Sequence, residues 1–153
     1  YGIEFNEGDE KEVLLNGMNR KYMFYVIGVP KAVYEKYGKQ MSIVVDNQYF
    51  TDQLIREFKD KKNFNIYHKK ITIRLIRELL DKRPLICHID DNLLGDYSHA
   101  SHFIILEKAS DKMIKIVDPF YGKSKLISEK TLEASILSLK NHIKMCPLLY
   151  YFD

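Results

Sequence analysis

Apolar positions recur along this chain in two rhythms, and the change between them falls near residue 84. Before it, the spacing is mostly that of helices. Residues 10–18 form a short amphipathic segment around Val13, Leu14 and Leu15. Residues 22–28 fit either class: Met23, Tyr25 and Ile27 alternate, but the positions between them are also apolar or aromatic. Pro30 suits a first helical turn, and Gly38 suits the stop after Val33, Tyr34 and Tyr37. Residues 41–45 are an apolar, β-branched run, hence a short buried strand. Thr51 is placed to cap a helix running to Lys59, with Leu54, Ile55 and Phe58 on one face. Residues 64–67 read as a short strand. Thr72 caps a second helix, from Ile73 to about Lys82, whose inner stripe is Leu75, Ile76, Leu79 and Leu80.

From Pro84 onward short apolar runs alternate with turns. Strands are predicted over residues 85–89, 102–107, 113–117, 125–127 and 146–152. A polar loop covers 90–101, and turns fall at Ser110-Asp111-Lys112, Asp118-Pro119 and Tyr121-Gly122. Ser128 caps a helix to about Lys140, with Leu132, Ile136, Leu137 and Leu139 inward. The four prolines, at 30, 84, 119 and 147, all fall at these boundaries. The expected fold class is α+β: a mostly helical part, 1–83, packed on an antiparallel sheet with one helix, 84–153, in a single domain.

Composition narrows the function classes. At 153 residues, with 46% hydrophobic and 29% charged, the chain is one globular domain and not a disordered tail. No apolar run approaches the roughly 18 residues of a membrane span. A net charge of +3 is too small to imply nucleic acid or a membrane surface by itself. The basic stretch 59–70 does interleave Phe64, Ile66 and Tyr67 with lysines, the pattern of a strand-stacking nucleic-acid surface. Without a nucleic-acid motif, a solvated turn around a short strand is the expected reading. Two cysteines rule out a disulfide scaffold and suit a reducing cytoplasm without demanding one. The first residues do not read as a secretory signal, and position 1 is Tyr, so the chain is expected to be a fragment or a processed form.

One constellation carries chemistry. His102 opens a strand and Asp118 closes the next, 16 residues later. If the two strands form a hairpin, both residues lie at the same end of the sheet. The carboxylate then accepts from one imidazole nitrogen and leaves the other as a base. The alternative is plain architecture, since Asp-Pro starts turns for local reasons. His99 and His102 have an i, i+3 spacing that suits a metal on a helix, with Cys87, His88 and Asp118 as further ligands. On a strand, however, i and i+3 face opposite sides, so no metal is expected. Cys87, mid-strand among Leu85, Ile86 and Ile89, reads as inert core, as does Cys146; a Cys87–Cys146 disulfide requires their strands to pair. Asp90-Asp91-Asn92 reads as a solvated turn or, alternatively, the polar rim of a site. His68 and His142 read as surface residues.

Pro84-Leu-Ile, then His102-Phe-Ile-Ile-Leu, then Ile116-Val-Asp118-Pro119-Phe-Tyr-Gly122 resembles the cysteine peptidases that remove double-glycine leaders from bacteriocin precursors. It resembles their stand-alone relatives in the papain-like superfamily as well. The likeness runs from about Ile73 to Lys140. It implies a papain-like fold, peptide-bond hydrolysis, His102 as catalytic base and Asp118 as its orienter. It implies a peptide or protein substrate. No cofactor and no metal are expected. The family also uses a Gln and a nucleophilic Cys on an early helix that runs into Tyr-Gly, followed by a short acidic helix. Tyr1-Gly2-Ile3-Glu4 looks like that exit, and residues 7–18 look like the following helix. The nucleophile is therefore expected upstream of residue 1. Gln40, Gln48 and Gln53 stand in the wrong place, and residues 1–153 alone are expected to be inactive. Some relatives lack the Cys and bind substrate without cutting it, which supplies the alternative of an inactive peptide- or protein-binding domain.

Overall fold

In the structure, a computed structural model that describes residues 34–36, 38, 40–95, 98–120 and 122–152, the first strand forms where the sequence is most densely apolar. β1 (Met41–Val45) is buried along its whole length. The expectations for residues 1–33 lie outside the described residues, as do Tyr37 and Tyr121. Residues 34–36 are helical, and Gly38 follows with φ of 58°, its N–H donating to the Tyr34 carbonyl at 2.8 Å. That left-handed stop suits glycine because it has no Cβ.

The next helix starts earlier than its pattern suggested. α1 (Gln48–Phe58) is capped by Asn47, whose side chain accepts from the Phe50 N–H at 3.2 Å. Thr51, the expected cap, sits inside the first turn and donates its hydroxyl back to the Asn47 carbonyl at 2.8 Å. The inner stripe is Thr51, Leu54 and Phe58, and Ile55 falls off it at 47% exposed. β2 (Phe64–His68) then lies parallel to β1, in register from Met41↔Phe64 to Val45↔His68. A strand that follows another through a helix can return parallel to it, whereas a tight turn forces antiparallel pairing. The first half of the chain thus contributes two strands to the sheet, and the sheet is mixed where a purely antiparallel one was expected. Phe64 stacks on Phe58 with ring centroids 3.8 Å apart and is buried. It is core, and no base can stack on it.

α2 (Ile73–Leu80) is capped by Thr72, which accepts from the Leu75 N–H at 3.2 Å, and it buries Ile76 and Leu80. After Pro84 come β3 (Leu85–Asp90), a 3-10 turn (Asp91–Leu94), β4 (Ser101–Ser110), β5 (Met113–Asp118) and β6 (Lys123–Ser128). The β4–β5 turn has Asp111 and Lys112 at φ of 44° and 62°. Two successive positive values match the twist of a two-residue hairpin, which lets β4 run three residues beyond its expected end. Ser128 caps α3 (Glu129–Asn141), accepting from the Thr131 N–H at 3.1 Å. Leu132, Ile136 and Leu139 face inward as expected, while Leu137 faces solvent at 47% exposed. β7 (Leu148–Phe152) starts after Pro147, which has no N–H to donate.

The seven strands lie in the order β2-β1-β7-β3-β4-β5-β6. One apolar cluster joins Leu85, Cys87, Ile89, Ile104, Leu106, Ile114 and Ile116 of the sheet to Ile76 and Leu80 of α2 and Leu132 and Ile136 of α3. A second joins Met41, Ile43, Val45, Leu148 and Tyr150 to Leu54 and Phe58 of α1. The protein is α+β, a mixed sheet with helices. No helix among the described residues is long and apolar enough to cross a membrane.

Candidate functional site

β3, β4 and β5 are consecutive antiparallel neighbours, so the end of β3, the start of β4 and the end of β5 come to one end of the sheet. Hairpin topology alone therefore gathers Asp90, His102 and Asp118 there. The β4–β5 register runs from Ser110↔Met113 to Ile105↔Val117 and stops three residues short of His102. In the space left beyond it a side-chain bond takes over: His102 Nε2 lies 3.0 Å from Asp118 Oδ1.

The same Asp118 oxygen accepts the Phe120 N–H at 2.9 Å, which fixes the carboxylate within its Asp-Pro turn. The His102 and Asp118 side chains are 21% and 14% exposed, shielded enough to be ordered and open enough to meet a ligand. With Nε2 turned to a carboxylate, the neutral imidazole holds its proton there and presents Nδ1 as the basic nitrogen. This is the juxtaposition the hairpin spacing anticipated.

Neither cysteine joins it. Cys87 is on β3, fully buried in the first cluster with Leu85 and Ile89, and burial raises its thiol well above the ordinary range. Cys146 is buried in the second cluster, and its thiol is pushed up to about 12 by burial, with the Asp46 charge adding to it. The two are free thiols and form no disulfide. A nucleophilic thiolate needs the opposite surroundings, electropositive and partly open. Neither thiol is therefore expected to react with Ellman's reagent in the native protein on the time scale that labels both in guanidinium; prompt native labelling of either would show that its strand opens.

His99 and His102 do not converge on one point. Each turns to its own carboxylate, and no group of three or more His, Cys, Asp or Glu among the described residues is arranged to hold a metal. A group of contacts that sequence reasoning missed lies beside His102. Asp90, read as part of a solvated turn or, alternatively, of the polar rim of a site, is instead the last residue of β3 and 0% exposed. Its Oδ2 lies 2.7 Å from His99 Nδ1 and accepts the Ser138 hydroxyl of α3, and its Oδ1 accepts the Asn92 N–H at 3.2 Å. Burial alone would raise this carboxyl, but the hydrogen bonds from Ser138, His99 and Asn92 outweigh it and hold the group below its ordinary range. The His99 ring lies 4.0 Å from that of His142, just beyond α3, so His142 is exposed yet engaged.

His88 lies beneath this end of the sheet, buried, with Nδ1 3.0 Å from the Cys146 carbonyl and its ring stacked on Phe103 at 4.4 Å. Burial lowers it to about 4, so it is neutral near pH 7. His68, on the far strand β2, is exposed and apart from the group. Asp90 and Ser138 are 48 residues apart, and nothing in local spacing signals their contact. Comparison of the chain with family models, with curated proteins and with solved structures finds no match.

Proposed function

We propose that this is a cysteine peptidase-like domain of papain-like type. In it His102 is the general base and Asp118 its orienting partner, acting on a peptide. The observation that carries the reading is the His102 Nε2 to Asp118 Oδ1 bond of 3.0 Å at the open end of the β4–β5 hairpin. It is an imidazole held by a carboxylate on one nitrogen and available on the other, the pair that activates a thiol in acyl transfer. The reaction runs through an acyl thioester. A thiol gives its proton to His102 Nδ1 and attacks the peptide carbonyl. The imidazolium, steadied by Asp118, then protonates the leaving amine. Water, deprotonated by the same nitrogen, releases the acid and returns the thiol.

The thiol in this scheme comes from sequence preceding residue 1, since both cysteines of residues 1–153 are buried core. That burial also supports the second reading, a peptide-binding domain without turnover. A single experiment separates them. A peptide carrying a double-glycine leader is incubated with residues 1–153 and with the protein extended N-terminally. The expected result is no cleavage by residues 1–153 and cleavage after the double glycine by the extended form. Binding by both forms with cleavage by neither would reject hydrolysis and leave the binding domain. Cleavage by residues 1–153 that His102→Ala abolishes would reject the requirement for an upstream thiol.

A further inference from the structure

Asp90 stands at a mechanically exposed point of the site. His102 is held on the β5 side by no ladder rung, because that register ends at Ile105↔Val117. On the β3 side it pairs with Ile89, one rung from the last, Asp90↔Ser101. Beyond that rung the Asp91 N–H donates to the Ala100 carbonyl at 3.1 Å. The placement of His102 thus depends on the closing rungs of one ladder, and terminal rungs open most readily. Asp90 closes this one. One carboxylate oxygen, Oδ2, takes both His99, three residues before His102, and Ser138 of α3, so the strand start is fastened to the helix layer through a buried anion. All three donors to that anion are supplied, and a satisfied buried hub of this kind is rigid, whereas a half-satisfied one is costly.

We propose that Asp90 is a positioning residue for His102, acting through His99 and Ser138 to hold the start of β4 so that the imidazole meets Asp118. The inference rests on the reading of His102 as the base, but its physical content is the coupling between two His–Asp pairs three residues apart. In Asp90→Asn the amide keeps the shape and can still accept from Asn92. It loses the charge that His99 and Ser138 bind, and the last rung loosens.

The test uses residues 1–153 and the downfield Nε2–H proton of His102 in NMR spectra, which is visible only while its bond to Asp118 protects it from water. Its assignment comes from its disappearance in His102→Ala. In Asp90→Asn the exchange of this proton is expected to quicken about tenfold or more, while the amides of Leu106 and Ile116, deeper in the same sheet, keep their protection. Ser138→Ala, which removes one donor and leaves the carboxylate, is expected to give a smaller change of the same sign. Unchanged His102 exchange in both variants overturns the proposal. Equal loss of protection at His102, Leu106 and Ile116 also overturns it, because that is general destabilisation. If Asp90→Asn does not fold, Ser138→Ala decides alone by the same two criteria. Failure of the peptidase reading shows up elsewhere: a His102 proton that depends on Asp90 in an extended protein that never cleaves keeps the hub and discards the hydrolysis.

Discussion

His102→Ala is expected to lower kcat/KM of the N-terminally extended protein by about 10²–10⁴-fold, the usual contribution of a positioned general base. The loss should fall on kcat, because in the proposed mechanism the imidazole moves protons in the transition state and contributes little to ground-state binding. Asp118 acts one step removed, so its variants should rank below. Asp118→Ala removes both the acceptor for Nε2 and the acceptor for the Phe120 N–H, 3.0 and 2.9 Å away. The imidazole then rotates and the Asp-Pro turn loosens. Asp118→Asn keeps an oxygen for both donors and loses only the charge that steadies the imidazolium, so it should retain more activity than Asp118→Ala. Steady-state kinetics on the three variants, each checked for native folding, settles the order. Undiminished turnover in His102→Ala would remove the residue from the chemistry and the peptidase mechanism with it.

Acid should destabilise the protein in a window set by His88. The residue is fully buried, its Nδ1–H donates to the Cys146 carbonyl at 3.0 Å, and burial lowers it from 6.5 to about 4. Between those values the unfolded chain binds a proton that the folded chain refuses. Stability therefore rises with pH across the window and is lost as pH falls through it, by about 3 kcal/mol over the whole span. Asp90 works in the same direction but lower on the scale, because its carboxyl is already depressed in the fold and its contribution disappears only when that carboxyl protonates. Urea midpoints measured from pH 7 down to about 4.5 should therefore report His88 first. His88→Asn keeps a donor toward the Cys146 carbonyl and gives up the stack on Phe103, so it should cost about 1 kcal/mol at pH 7 and flatten the slope below it. A slope as steep in His88→Asn as in the parent would mean that another group titrates in that window.

The candidate site was legible to the extent that it is local. His102 and Asp118 flank one hairpin, and two antiparallel strands about a short turn bring the start of the first and the end of the second to the same end of the sheet. The polar turn residues Ser110, Asp111 and Lys112 were enough to place that hairpin, and the structure then supplied its positive φ angles. The helix caps at Thr72 and Ser128 were legible for the same reason, since a cap is a contact between residues three apart. Thr51 shows the limit of that logic: a threonine can cap a helix or bond back within its first turn, and the choice fell to Asn47.

Patterns of apolar residues thus determined, without help from the fold, that the chain has an α+β core, that its C-terminal half is strand-rich, and that both cysteines belong inside. Tertiary structure alone decided the rest. It made β1 and β2 a parallel pair within the same sheet, because a crossover helix leaves strand direction open until the helix has packed. It turned Asp90 from a loop residue into a buried anion, because the Ser138 hydroxyl that helps satisfy it comes from a helix 48 residues away. A carboxylate in a polar stretch looks the same whether it faces water or a hydroxyl, and only burial distinguishes the two: once water is excluded, each oxygen must find a donor, and the fold has to bring it.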